Sequence, residues 1–155
     1  MVVYLLSRND MKTMTAGKEM AQAQHCGVQM VAKYGKHKDV KEYIKQGLAQ
    51  HADHFNTTIT LEASGRKIRN VVSTARKLGY VADLLIDPTY PFWIPKDVAK
   101  MLEVDFHMEK DGQVLVTKTE MTFGWLLGDK NDTLFTNLVN GLELKSHNRL
   151  IYEEK

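Results

Sequence analysis

Lys18, Gln22, His25 and Gln29 follow one another at intervals of four, three and four residues, so on an α-helix they stack along one side. A lysine in the first turn adds positive charge where unpaired backbone N–H groups already attract anions. That placement opposes the helix and serves a phosphate or an oxyanion. Asp87 is the second group of interest, because it precedes Pro88 and Thr89 at the end of an apolar run. A carboxylate can orient or deprotonate a water, and an ammonium can offset charge building on an oxygen under attack, so Asp87 and Lys18 suit hydrolysis. Each also has a plainer reading: the row as a solvated helix face, and Asp87 as the cap of its own turn.

Such side chains need elements to hold them. "VVYLLSR", residues 2–8, is an apolar run of β-formers and predicts a buried strand. From Ala16 to Tyr34 a helix is expected, with Met20, Gly27, Val28, Val31 and Tyr34 facing the core and the Lys18–Gln29 row opposite. "DVKEYIKQGLAQ" predicts a second helix capped by Asp39, and "NTTITLEA" a second strand. Ile68, Val71, Val72, Ala75 and Leu78 give the clearest helical period in the chain. "YVADLLIDPT" then predicts a third strand, stopped at Asp87-Pro88 because proline cannot continue a central ladder. This order predicts an α/β fold in a single domain, residues 1–155: a mixed, mostly parallel sheet of about four to five strands with helices on both faces. Ligands bind such sheets beyond the carboxyl ends of the strands, where Arg8-Asn9-Asp10 and Asp87-Pro88-Thr89 are expected. Further on, the sequence predicts a short helix in "IPKDVAKMLE", a hairpin turning at Asp111-Gly112, a strand in "MTFGWLLGDK", a helix in "DTLFTNLVNGL" and a terminal edge strand in "NRLIYEE".

Composition narrows the classes of function. A single cysteine, Cys26, excludes an intramolecular disulfide and any CxxC metal or redox motif, which favours a reducing, cytoplasmic setting. The apolar run before Arg8 is too short for a signal-peptide core, and no later run approaches a membrane span, so a soluble protein without a membrane partner is expected. Residues 1–77 carry 13 Lys and Arg against 6 Asp and Glu, while residues 78–155 carry 8 against 13. The basic half could attract a polyanion. Ala16-Gly17-Lys18 is not a phosphate loop, because Lys12 and Glu19 stand where that motif needs Gly and Ser or Thr. His51, Asp53 and His54 are potential ligands without a partner motif, and no metal site is expected.

The start of the first helix resembles the type 2, archaeal and eukaryotic, peptidyl-tRNA hydrolases. Their signature runs approximately R-x-D-L-x-M-x-x-G-K-x-A-A-Q-x-x-H-A, against "RNDMKTMTAGKEMAQAQHC" here. Arg8, Asp10, Met14, Gly17, Lys18, Ala21, Gln22 and His25 match, with one extra residue between Arg8 and Gly17. Met11, Met20 and Cys26 replace the family's Leu and two alanines. In the family's I-x-D-A-G-x-T stretch Asp87 matches, Pro88 and Thr89 replace Ala-Gly, and Pro91 stands at the threonine. The closing T-x-L-[AG]-I-G-P is similar to "TFGWLLGDK", with Thr122 and Gly128 kept, Asp129 in place of the proline and a spacing one residue longer. "LVNGLELK" resembles the family's C-terminal helix and strand. Only residues 94–116 fall outside the resemblance, and they read as an inserted lid or docking segment.

The resemblance implies a hydrolase that cleaves the ester joining a peptide to the 3′ end of tRNA, without a cofactor. Lys18 and Asp87 occupy the family's functional lysine and aspartate positions, and Thr89 and Thr122 are the candidates for its threonines. Arg8, Asp10, Gln22 and His25 are expected to bind substrate. Arg66, Arg69 and Arg76, which share a helix stripe with Ser73, are the expected phosphate contacts. Phe92 and Trp93 are of the type that stacks on unpaired bases or fills a core. A homodimer is compatible with this reading. Two other classes stay open: a tRNA- or RNA-binding module without turnover, and a small-molecule α/β enzyme.

Overall fold

Val2, Val3, Leu5, Leu6 and Ser7 of the first strand are all buried, so this strand is covered on both faces, as its unbroken apolar run requires. The computed structural model describes residues 1–50 and 56–145. In chain order they form β1 (Val2–Arg8), α1 (Ala16–Tyr34), α2 (Lys38–Gln50), β2 (Thr58–Ala63), α3 (Gly65–Lys77), β3 (Val81–Pro95), α4 (Lys96–Met101), β4 (Met108–Lys110), β5 (Gln113–Gly128), α5 (Thr133–Asn137) and β6 (Glu143–Leu144). α2 begins one residue before Asp39, whose own backbone N–H donates to His37 Nδ1 at 3.2 Å. Asp39 therefore sits inside the first turn and does not cap it. The expected strand in "NRLIYEE" lies outside the described residues.

The six strands run in the order β3-β5-β1-β2-β6, with β4 paired to β5. β1 and β2 are parallel, while β1–β5, β2–β6 and β4–β5 are antiparallel. The sheet is thus mixed, not mostly parallel, and has more strands than the four to five expected. The crossover through α1 and α2 does produce a parallel pair, but β5 then enters between β3 and β1 from far along the chain, with Val2 opposite Gly128. Hairpin-like pairings such as β4–β5 need no crossover and add antiparallel strands at little loop cost.

Helices cover both faces. On one, Cys26, Met30, Val40 and Tyr43 of α1 and α2 join Val3, Leu5, Phe123, Trp125 and Leu127 in one core. On the other, α3 lies so close to Gly124 that a Cβ there would come within 2.6 Å of Ile68 Cγ2. Phe135 of α5 stacks at 5.6 Å between ring centroids on Tyr4. Burying a side chain such as Ile68 contributes about 1.5–3 kcal/mol.

β3 does not stop at Pro88; it runs on through Pro91 to Pro95. Its position at the end of the strand order explains this, since an edge strand can direct a proline's missing N–H away from the ladder. The chain divides into two compact units, residues 1–85 with 122 onward, and Ile86–Met121. The second unit holds α4, the β4–β5 hairpin and a small core of Ala99, Val114 and Val116 flanked by Phe92 and Ile94. Its hairpin turns at Asp111 (φ 50) and Gly112 (φ 74), the pair of left-handed residues that a two-residue turn of this hand requires. The segment 94–116 lies within this unit.

Candidate active site

α1 starts at Thr15, whose hydroxyl accepts the Lys18 backbone N–H at 3.3 Å. The Lys18 ammonium donates to the Thr13 carbonyl at 3.2 Å. Partial burial pulls its pKa below the ordinary lysine value. β1 delivers Arg8 to the same unit, and Arg8 Nε lies 2.7 Å from Asp10 Oδ1. The other Asp10 oxygen accepts the backbone N–H of Gly65, the first residue of α3, at 3.1 Å. The Arg8 hydrogen bond is the main reason the Asp10 pKa falls below the usual carboxylate value. Arg8, Asp10 and the start of α3 are therefore one linked group.

The orientation of α1 reverses the sequence expectation. Glu19, Gln22, Cys26 and Met30 are buried, whereas Met20 is 68%, Val28 58% and Val31 52% exposed. The polar row turns inward because its amides have partners beneath them. Thr122 Oγ1 donates to Gln22 Oε1 at 2.8 Å, Trp125 Nε1 donates to Gln29 Oε1 at 2.8 Å, and Gln29 Nε2 donates to the Leu84 carbonyl at 3.1 Å. A buried amide satisfied in this way costs little, so polarity alone does not decide which side of a helix is outside. His25 lies at the margin of the row and is exposed.

Sequence reasoning missed a second buried network next to Lys18. Ser7 Oγ donates to Glu19 Oε1, and Lys145 Nζ lies 3.5 Å from Glu19 and 3.3 Å from Glu62. The available signal was a hydroxyl inside the apolar run of β1 and an acidic residue directly after Lys18.

Asp87 and Thr89 belong to the second unit. Asp87 is not at the end of its strand, because β3 continues past the prolines. Its Oδ1 accepts the Thr89 backbone N–H at 2.8 Å and the Thr89 hydroxyl at 3.3 Å, closing a local turn. Trp93 is 40% exposed. Phe92 packs against the small core instead, with Lys118 Nζ 5.2 Å from its ring centroid.

Of the three arginines expected to meet phosphate, Arg66 and Arg69 are exposed on α3. Arg76 is committed within the protein, donating to the Ala82 carbonyl at 2.8 Å and pairing with Asp83 Oδ1. Burial alone would raise the Asp83 pKa, but Lys33, the Leu84 N–H, Tyr34 and Arg76 outweigh it and hold the group below the ordinary value of 3.8. Arg76→Ala should therefore destabilise the fold by about 1 kcal/mol, the side chain being 46% exposed. A depressed carboxylate pKa stabilises fully above 3.8 and loses its effect as pH falls below it. The gap between the melting curves of wild type and variant should accordingly narrow in acid, where only the hydrogen bond to the Ala82 carbonyl still separates them.

Among the described residues no group of three or more His, Cys, Asp or Glu could hold a metal ion, and no helix is long and apolar enough to cross a membrane. His51, Asp53 and His54 lie outside the described residues. No protein-family model matches the chain, and no curated protein matches it either.

Proposed function

We propose that this protein is a peptidyl-tRNA hydrolase, cleaving the ester between a peptide or N-blocked amino acid and the 3′ end of tRNA in the cytoplasm. The observation that carries this reading is the 2.8 Å hydrogen bond between Thr122 and Gln22. These residues come from two separately matched motifs, 100 positions apart, and the packing of α1 on β5 brings them into contact. Lys18 stands one helical turn from Gln22 and supplies the cation for the developing oxyanion. By motif position, Asp87 is the group assigned to the attacking water and Thr89 its neighbouring hydroxyl. Arg8 and Asp10 brace the segment before α1, Thr122 fixes Gln22, and exposed His25 is available to substrate.

Incubation of the purified protein with N-acetyl-aminoacyl-tRNA tests the reading directly. Release of free tRNA above the spontaneous rate is expected, whereas a protected or untouched ester identifies a tRNA-binding module without turnover. Affinity for tRNA should also fall steeply with salt, because phosphate contacts release counterions. Arg69→Ala should flatten that dependence by about one unit of log–log slope, the share of a single phosphate-bound guanidinium. An unaltered slope would remove the exposed face of α3 from the interface.

A further inference from the structure

Between α1, α2 and the sheet lies a cavity of about 120 Å³, walled by Leu5, Cys26, Met30, Tyr43 and Trp125 with no charged side chain. Its polar groups are already committed. The Tyr43 hydroxyl lies 2.8 Å from Thr58 Oγ1, and the Trp125 indole N–H donates to Gln29. The Cys26 thiol is buried, and that burial pushes its pKa up to about 12, so it adds no charge. A lining of this kind gives water few partners, and apolar cavities of similar size take up benzene or xenon.

Gly27 stands at the rim of this space, exposed, in the interior of a 19-residue helix. A Cβ placed there would meet nothing within 4 Å. Glycine weakens a helix interior relative to alanine, and no close neighbour demands it here; the helix simply carries no side chain at this rim position.

We propose that this cavity binds a small uncharged apolar molecule, no larger than a single six-membered ring, entering past Gly27. Size excludes a fused ring system, and a wall with no charged side chain, whose tyrosine hydroxyl and indole N–H already have partners, disfavours an ion or a sugar. The inference is independent of the hydrolase reading, since the cavity belongs to the core beneath α1 and its occupancy is measured without tRNA.

Fluorobenzene titrated into the protein and followed by fluorine NMR tests it. Saturable binding at one site is expected, with intermolecular NOEs from the ring protons to the methyl groups of Met30 and Leu5. Cys26→Leu, which extends a side chain into the void, should weaken binding by at least roughly tenfold while the protein stays folded. A linear, non-saturating titration would overturn the proposal, as would NOEs absent from Met30 and Leu5. Unchanged affinity in folded Cys26→Leu would overturn it too, and should that variant not fold, the wild-type NOEs alone decide.

Discussion

Lys18→Met should leave the protein folded and lower hydrolysis of N-acetyl-aminoacyl-tRNA by at least ~100-fold, the scale of losing one oxyanion-stabilising group. Methionine is a good helix former of similar length, and the Thr15 cap receives the residue's backbone N–H, which the substitution keeps. What disappears is the ammonium that donates to the Thr13 carbonyl at the head of α1. If that charge acts on the transition state, kcat falls while KM changes little. The pH profile gives a second, independent readout. Burial lowers the Lys18 pKa, so wild-type turnover should decline with rising pH before the ordinary lysine value of 10.5 is reached. The methionine variant should lack that decline once spontaneous ester loss is subtracted. Wild-type turnover in Lys18→Met would take the residue out of the mechanism.

The parts of the fold legible in the sequence are those whose pattern is local. α3 announces itself through Ile68, Val71, Val72 and Ala75, all buried against the sheet, and β1 through a run in which apolar residues occupy both faces. The turn at Asp111-Gly112 is equally local, since two adjacent left-handed residues are chemically encoded there. Pairing is another matter. Nothing near Val2 indicates that Gly128 lies opposite it in an antiparallel pair, so the long β1–β5 partnership has no local signal. The fate of Pro88 depended on the same missing information, because a proline ends a central strand but not an edge strand.

α1 illustrates a deeper ambiguity. Its limits were readable and its direction was not, because Met20, Val28 and Val31 make as apolar a stripe as Cys26 and Met30 do. What decides is the set of partners presented by a strand about a hundred residues away: Thr122 for Gln22 and Trp125 for Gln29. A helix face that would be expensive to bury alone becomes the specific one once each amide has an acceptor or donor under it. The same reasoning explains why Arg76 looked like a phosphate contact. Its stripe is shared with Arg69, and only the position of Asp83 distinguishes a structural guanidinium from a solvated one.

Asp87→Asn should reduce turnover by a factor on the order of 10²–10⁴, the usual contribution of a positioned general base, with tRNA affinity close to wild type. The substitution keeps the shape of the side chain and an oxygen able to accept from the Thr89 backbone and hydroxyl, so the local turn survives. It removes the negative charge and the capacity to take a proton from water. The two roles of Asp87 therefore separate cleanly in this one variant. A residue that only closes the Asp87–Thr89 turn tolerates asparagine, which caps such turns about as well, and catalysis would stay near normal. A residue that orients or activates water does not tolerate it, and the loss falls on kcat because an unreactive substrate binds either form alike. Circular dichroism and melting temperature, measured on the same variant, separate a loss of rate through charge from one through unfolding. Thr89→Val gives the complementary measurement, removing the hydroxyl donor 3.3 Å from Asp87 Oδ1 while leaving the carboxylate in place. A slow Asp87→Asn beside a faster Thr89→Val assigns the chemistry to the carboxylate, and near-wild-type turnover in Asp87→Asn would end its catalytic assignment.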